Sequence, residues 1–71
     1  MDLRTLRKRL RYSQEELGRV AGVRAATISD IERGKIRSCS YATVTKLAVA
    51  LNSTAPAIAA AIEASHSEAR S

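Results

Sequence analysis

The groups in this chain that could do chemistry are mostly cations. Twelve Lys and Arg stand against seven Asp and Glu, for a net charge of +5. Residues 1–37 hold ten of the basic and five of the acidic side chains, so that half carries the whole excess. Guanidinium and ammonium groups gathered this way suit a nucleic-acid partner, although a merely well-solvated surface fits the count equally well. The groups an enzyme needs are missing. His66 is the one histidine, and Cys39 is the one cysteine and has no histidine near it. No acids pair on a shared face, no spacing suits a metal, and no Gly-rich loop cradles a phosphate. The expectation is a protein that is not an enzyme and uses no metal, cofactor or small-molecule ligand.

Helices must position these cations. The chain is 45% hydrophobic but only 3% aromatic, with no Trp or Phe, so its core has to come from Leu, Ile, Val and Ala. That composition fits an all-helical bundle. At 71 residues it forms one small domain, burying only about 60% of its unfolded surface. The organising stretch is QEELGRVAGVRAATISDIERG, residues 14–34. Ser13 and Glu16 form a capping box that starts a helix over 14–21, and Leu17, Val20 and Ala21 make its apolar stripe. Gly22 ends it where a left-handed residue is wanted. Ile28 and Ile31 give a second stripe, predicting a helix over 25–33 that closes at Gly34. Two short helices joined by a tight turn form a helix-turn-helix.

Around this pair, a first helix is predicted over 2–11, with Leu3, Leu6 and Leu10 on one face and Arg4, Lys8 and Arg11 on the opposite, solvated one. Arg7 sits at the edge of the stripe. A fourth helix over 41–51 buries Val44, Leu47, Ala48 and Leu51, leaving Val49 pointing away. Pro56 fits the first turn of a fifth helix over 55–64. In it Ile58 and Ile62 either close the core or supply a dimer surface. Residues 65–71 read as a disordered polar tail, with His66 lacking a partner.

Gln14, Leu17, Gly22-Val23, Ile28, Ile31 and Glu32-Arg33-Gly34, together with the run from Val44 to Leu51, resemble the phage-repressor/Cro-type (Xre-like) helix-turn-helix family over about residues 2–54. The resemblance implies a compact five-helix, lambda-repressor-like DNA-binding domain over residues 1–64. It also implies sequence-specific binding of double-stranded DNA through the third helix in the major groove. A transcriptional regulator follows, most often a repressor, acting as a homodimer that forms either alone or only on DNA. An antitoxin-like or adaptor module of the same fold, with a protein as its main partner, is the alternative.

Roles follow residue by residue. Arg24, Ala25, Ala26, Thr27, Ser29 and Asp30 lie where recognition helices meet base edges. Arg24 suits guanine, and Ala25, Ala26 and the Thr27 methyl suit thymine methyl groups. Asp30 either accepts from cytosine N4 or orients a neighbouring Arg. Gln14, at a helix start, is expected at a phosphate, as are Arg33, Lys35, Arg37 and Ser38, while Ser40 caps the fourth helix. The family pairs an Arg and a Glu at the places held here by Arg7 and Glu32. Ile36, Tyr41, Val49, Ile58 and Ile62 are the possible dimer contacts.

Three features depart from the family pattern. Gly18 stands where Ala is usual, so Gly18→Ala is expected to stabilise the helix by about 1 kcal/mol. Arg24 replaces the usual Ser or Thr cap, and the loop over 34–40 is one residue longer than the commonest form. Cys39 reads as a small, partly buried residue without reactive character, and a lone Cys fits a reducing cytoplasm. No run of residues is long and apolar enough for a membrane span, and no signal peptide opens the chain.

Overall fold

A computed structural model describes residues 1–70, with side chains through residue 67. Five helices follow one another: α1 (Leu3–Arg9), α2 (Gln14–Ala21), α3 (Ala25–Glu32), α4 (Tyr41–Ala50) and α5 (Ala55–Arg70). There are no strands among the described residues. Leu3, Leu17, Ile28, Ile31, Leu47, Ile58 and Ile62 are fully buried, so every helix contributes to one aliphatic core.

Local chemistry sets most of the boundaries. Asp2 caps α1 by accepting from the Thr5 N–H at 2.9 Å. The helix stops at Arg9, short of the expected residue 11, because Arg11 turns left-handed at φ 60°. That early stop takes Leu10 off the apolar face, and it stands 45% exposed. Both bonds of the capping box start α2: Glu16 N–H donates to Ser13 Oγ at 3.0 Å, and Ser13 N–H to Glu16 Oε1 at 2.9 Å. Gly22 closes it at φ 73°, a conformation that costs an L side chain roughly 1–2 kcal/mol. The buried face of α2 is Leu17, Gly18 and Ala21, and Val20 faces outward at 55% exposure. Arg24 starts α3 without a side-chain cap, and Arg33 lies just past its end. Ser40 caps α4 through the Thr43 N–H.

The fifth helix differs most from expectation. It runs well past residue 64, so residues 65–67 are helical and not a disordered tail; Ser71 lies outside the described residues. Ser65 is buried, donates to Ala61 O at 3.0 Å and accepts from the Leu3 N–H at 3.0 Å. His66 also has a partner, the Gly34 carbonyl, 2.9 Å from its Nδ1. These bonds tie α5 to the start of α1 and to the loop after α3. Ile58 and Ile62 close the core, which removes both as dimer contacts.

Gly18 governs how closely α2 and α3 approach. It is buried, and a Cβ there would lie 2.5 Å from the Val23 carbonyl oxygen and 3.2 Å from Ala25 N. Both neighbours are backbone of the motif turn and cannot rotate away. This reverses the expectation that alanine would stabilise the fold, since the steric cost of overpacking, about 1–3 kcal/mol, exceeds the gain of about 1 kcal/mol in helix propensity. Gly18→Ala should lower the urea midpoint; an unchanged or higher midpoint would show that the turn yields freely.

Candidate nucleic-acid interface

The motif helices are locked to α1 through one buried carboxylate. Glu32, at the end of α3, has no exposed side-chain surface. Arg7 grips it with two bonds, Nε to Oε2 at 2.7 Å and Nη2 to Oε1 at 3.0 Å. The remaining Arg7 nitrogen, Nη1, donates to the Tyr12 carbonyl at 2.7 Å, which fixes the α1–α2 connection. Gln14 Nε2 and Arg4 Nε also reach Oε1, at 3.2 and 3.3 Å. Burial alone would raise the Glu32 pKa, but the hydrogen bonds from Arg7, Gln14 and Arg4 and the Arg7 charge outweigh it and hold the carboxyl below its ordinary value. The hydrogen bond to Glu32 in turn raises the Arg7 pKa, against the opposing effect of burial.

Arg4 therefore does not stand on a purely solvated face. It precedes Arg7 by three residues, a spacing that puts both on one side of a helix; that shared side was readable from the sequence, whereas the common Glu32 partner was not. The Gln14 side chain, expected at a phosphate, has a protein partner in Glu32.

Along α3, Arg24, Ala26 and Arg33 are exposed, and Ala25, Thr27, Ser29 and Asp30 are half-buried on its flanks. Asp30 forms no ion pair among the described residues, so the reading in which it orients a neighbouring Arg has no such pair behind it. Its carbonyl accepts from the Lys35 N–H at 2.9 Å, tying the following loop back to the helix. Lys35, Arg37 and Ser38 all stand exposed on that loop. Arg37 lies 3.8 Å from Glu63, both largely exposed, a pair too solvated to hold either side chain firmly. The His66–Gly34 contact pins the loop from below, and nothing in the local sequence signals it.

Other groups behave as follows. Tyr41 and Val49 are each 78% exposed, whereas Ile36 packs partly against the core. Burial pushes the Cys39 thiol up, away from thiolate chemistry. No group of His, Cys, Asp and Glu among the described residues could hold a metal ion. No single helix among them is long and apolar enough to cross a membrane.

A protein-family model for the helix-turn-helix matches residues 3–58, well over half of the chain. The chain belongs to the Xre/Cro-like helix-turn-helix family and has the lambda-repressor-like fold. It is a DNA-binding protein of the transcription-regulator class. No curated protein and no solved structure matches it.

The Glu32 network makes stability depend on acid. Its pKa is lower folded than unfolded, so the unfolded state takes up the proton first as pH falls. The contribution is complete above the ordinary carboxyl value of about 4.3 and is lost as pH drops from there through the folded pKa. Unfolding midpoints should thus hold steady between about pH 7 and 5 and fall steeply below about 4.3. Glu32→Gln should be less stable by about 3–5 kcal/mol at neutral pH, because Arg7 is left buried without its counter-charge, and should show a shallower acid fall. An equal acid slope in urea titrations of both proteins would assign the effect to other carboxylates.

Proposed function

We propose that this protein is a transcriptional repressor that binds a palindromic operator as a dimer, with α3 in the major groove. The observation that carries the reading is the juxtaposition of an outward face on α3, headed by Arg24, with the exposed cations of the loop that follows it. Arg24 suits a bidentate bond to guanine O6 and N7, and Ala25, Ala26 and Thr27 suit thymine methyls. Ser29 and Asp30 complete the base-reading set, with Asp30 accepting from cytosine N4. Gln14, Arg33, Lys35, Arg37 and Ser38 bond the sugar-phosphate backbone, which fixes register without reading sequence.

The dimer reading draws on size. The longest dimension of the backbone is 30 Å, and half-sites one helical turn apart are centred about 34 Å from each other. One copy covers one half-site, and a second copy is needed for the other. Tyr41 and Val49 remain as exposed apolar contacts for it, and Ile36, partly packed against the core, adds a third. Repression by occlusion needs nothing beyond occupancy. The same exposed Val20, Tyr41 and Val49 also favour, as a second reading, an adaptor or antitoxin-like module that docks a protein.

Selection from a random duplex pool at physiological salt, followed by sizing of the complex, separates the two. A palindrome with two chains bound supports the repressor; an unenriched pool favours the protein-docking module. Single substitutions then test the division of labour. Arg24→Ala should relax preference at one base position, worth about 1–3 kcal/mol of discrimination. Arg37→Ala should weaken all sequences alike and reduce the salt slope by about 0.9. Indistinguishable effects in binding titrations would overturn the assignment.

A further inference from the structure

We infer that Arg4 is a DNA-backbone contact, carrying the phosphate-binding surface from the motif onto α1; this rests on the DNA-binding reading above. The argument begins with the charge count at Glu32. Arg7 alone neutralises that carboxylate, with two bonds at 2.7 and 3.0 Å, and its last nitrogen is taken by the Tyr12 carbonyl. Arg4 is therefore a surplus cation, so the Arg4–Arg7–Glu32 cluster carries a net positive charge. Its side chain is half exposed, while that of Glu32 is fully buried. Only its Nε is engaged, by Oε1 at 3.3 Å, and no described residue bonds its two terminal nitrogens. Anchored at Nε, the guanidinium is held with its free edge outward, leaving donors in the fork geometry that matches phosphate oxygens.

Its neighbour indicates what that edge meets. Gln14 Nε2 bonds the same Glu32 oxygen at 3.2 Å, so the Arg4 guanidinium and the Gln14 amide lie side by side. Gln14 is assigned to the DNA backbone, and a phosphate there is within reach of Arg4 as well. Glu32 thereby orients both groups from inside the protein, and little side-chain freedom is left to lose when the phosphate arrives.

The test is the salt dependence of binding to a short synthetic duplex of mixed sequence, because a phosphate contact acts on any sequence. Arg4→Gln should flatten the slope of log K against log salt by about 0.9, the value for one phosphate. Arg4→Lys, which keeps the charge, should retain the wild-type slope. Arg9→Gln removes the same charge from the same helix, but Arg9 lies beside Leu51 and Asn52 and away from Glu32, so it should leave the slope unchanged. Thermal unfolding of Arg4→Gln should match the wild type, since Arg7 and Gln14 still satisfy Glu32. A wild-type slope in Arg4→Gln, or equal flattening by Arg4→Gln and Arg9→Gln, would overturn the assignment while leaving the DNA-binding reading intact. Absence of wild-type binding to any duplex at low salt would overturn both.

Discussion

The structure depends on a carboxylate taken out of water. Glu32 is reached by side chains from α1 and α2 while it terminates α3, so one oxygen pair fixes three helices against each other. Desolvating that charge costs several kcal/mol, and an apolar replacement of matching volume would often serve stability as well or better. What the ionic arrangement supplies is direction. Hydrophobic contact between Leu17, Ile28 and Ile31 tolerates sliding, whereas a bidentate guanidinium–carboxylate pair has one good geometry. A DNA-binding helix pair held in one fixed orientation needs that second property more than the first.

Close approach of the motif helices is the complementary constraint. Gly18 lets the Val23 carbonyl come within 2.5 Å of where a Cβ would sit, so the turn is packed onto the helix it leaves. The capping box and the left-handed Gly22 then bound α2 on both sides. Steric contact sets the spacing between α2 and α3, and the Glu32 network sets their orientation. The α5 helix completes the unit by tying Ser65 to the Leu3 N–H and His66 to the loop carbonyl at Gly34.

The parts of this fold that were legible in the sequence are those whose physics is local. Ser13 with Glu16, Gly22, Ser40 and the spacing of Ile28 and Ile31 each act within one turn of chain, and all appear where the pattern puts them. The parts that were not legible depend on partners distant in sequence. Ser65 and His66 read as polar tail because the Leu3 N–H and the Gly34 carbonyl they meet lie 62 and 32 residues away. Val20 and Leu10 look apolar at helical spacing, yet Val20 faces out because the buried face of α2 is centred on Leu17, Gly18 and Ala21, and Leu10 because the helix ends before it. Gly18 itself looked like a weak alanine; only the position of the Val23 carbonyl shows why alanine does not fit. At the interface, the exposed cations of the loop were readable as cations, but the anchoring of Arg4 and Gln14 on one oxygen was not, since it requires three helices to be already in place.

The departure at Arg24 follows the same logic of position over stability. A Ser or Thr at that N-cap would satisfy a free backbone N–H and contribute about 1 kcal/mol, and Arg24 makes no such bond. The helix it starts is only eight residues long, too short to persist by propensity alone. It is held instead from its middle onward, where Ile28, Ile31 and Glu32 are all buried. Anchoring α3 there frees the first turn from a stabilising role, and a long cationic side chain can occupy the cap position at modest cost. The buried residues that hold the helix begin only at Ile28, so its first turn is left to residues without that task, while Ser29 and Asp30 alternate with the buried set further along.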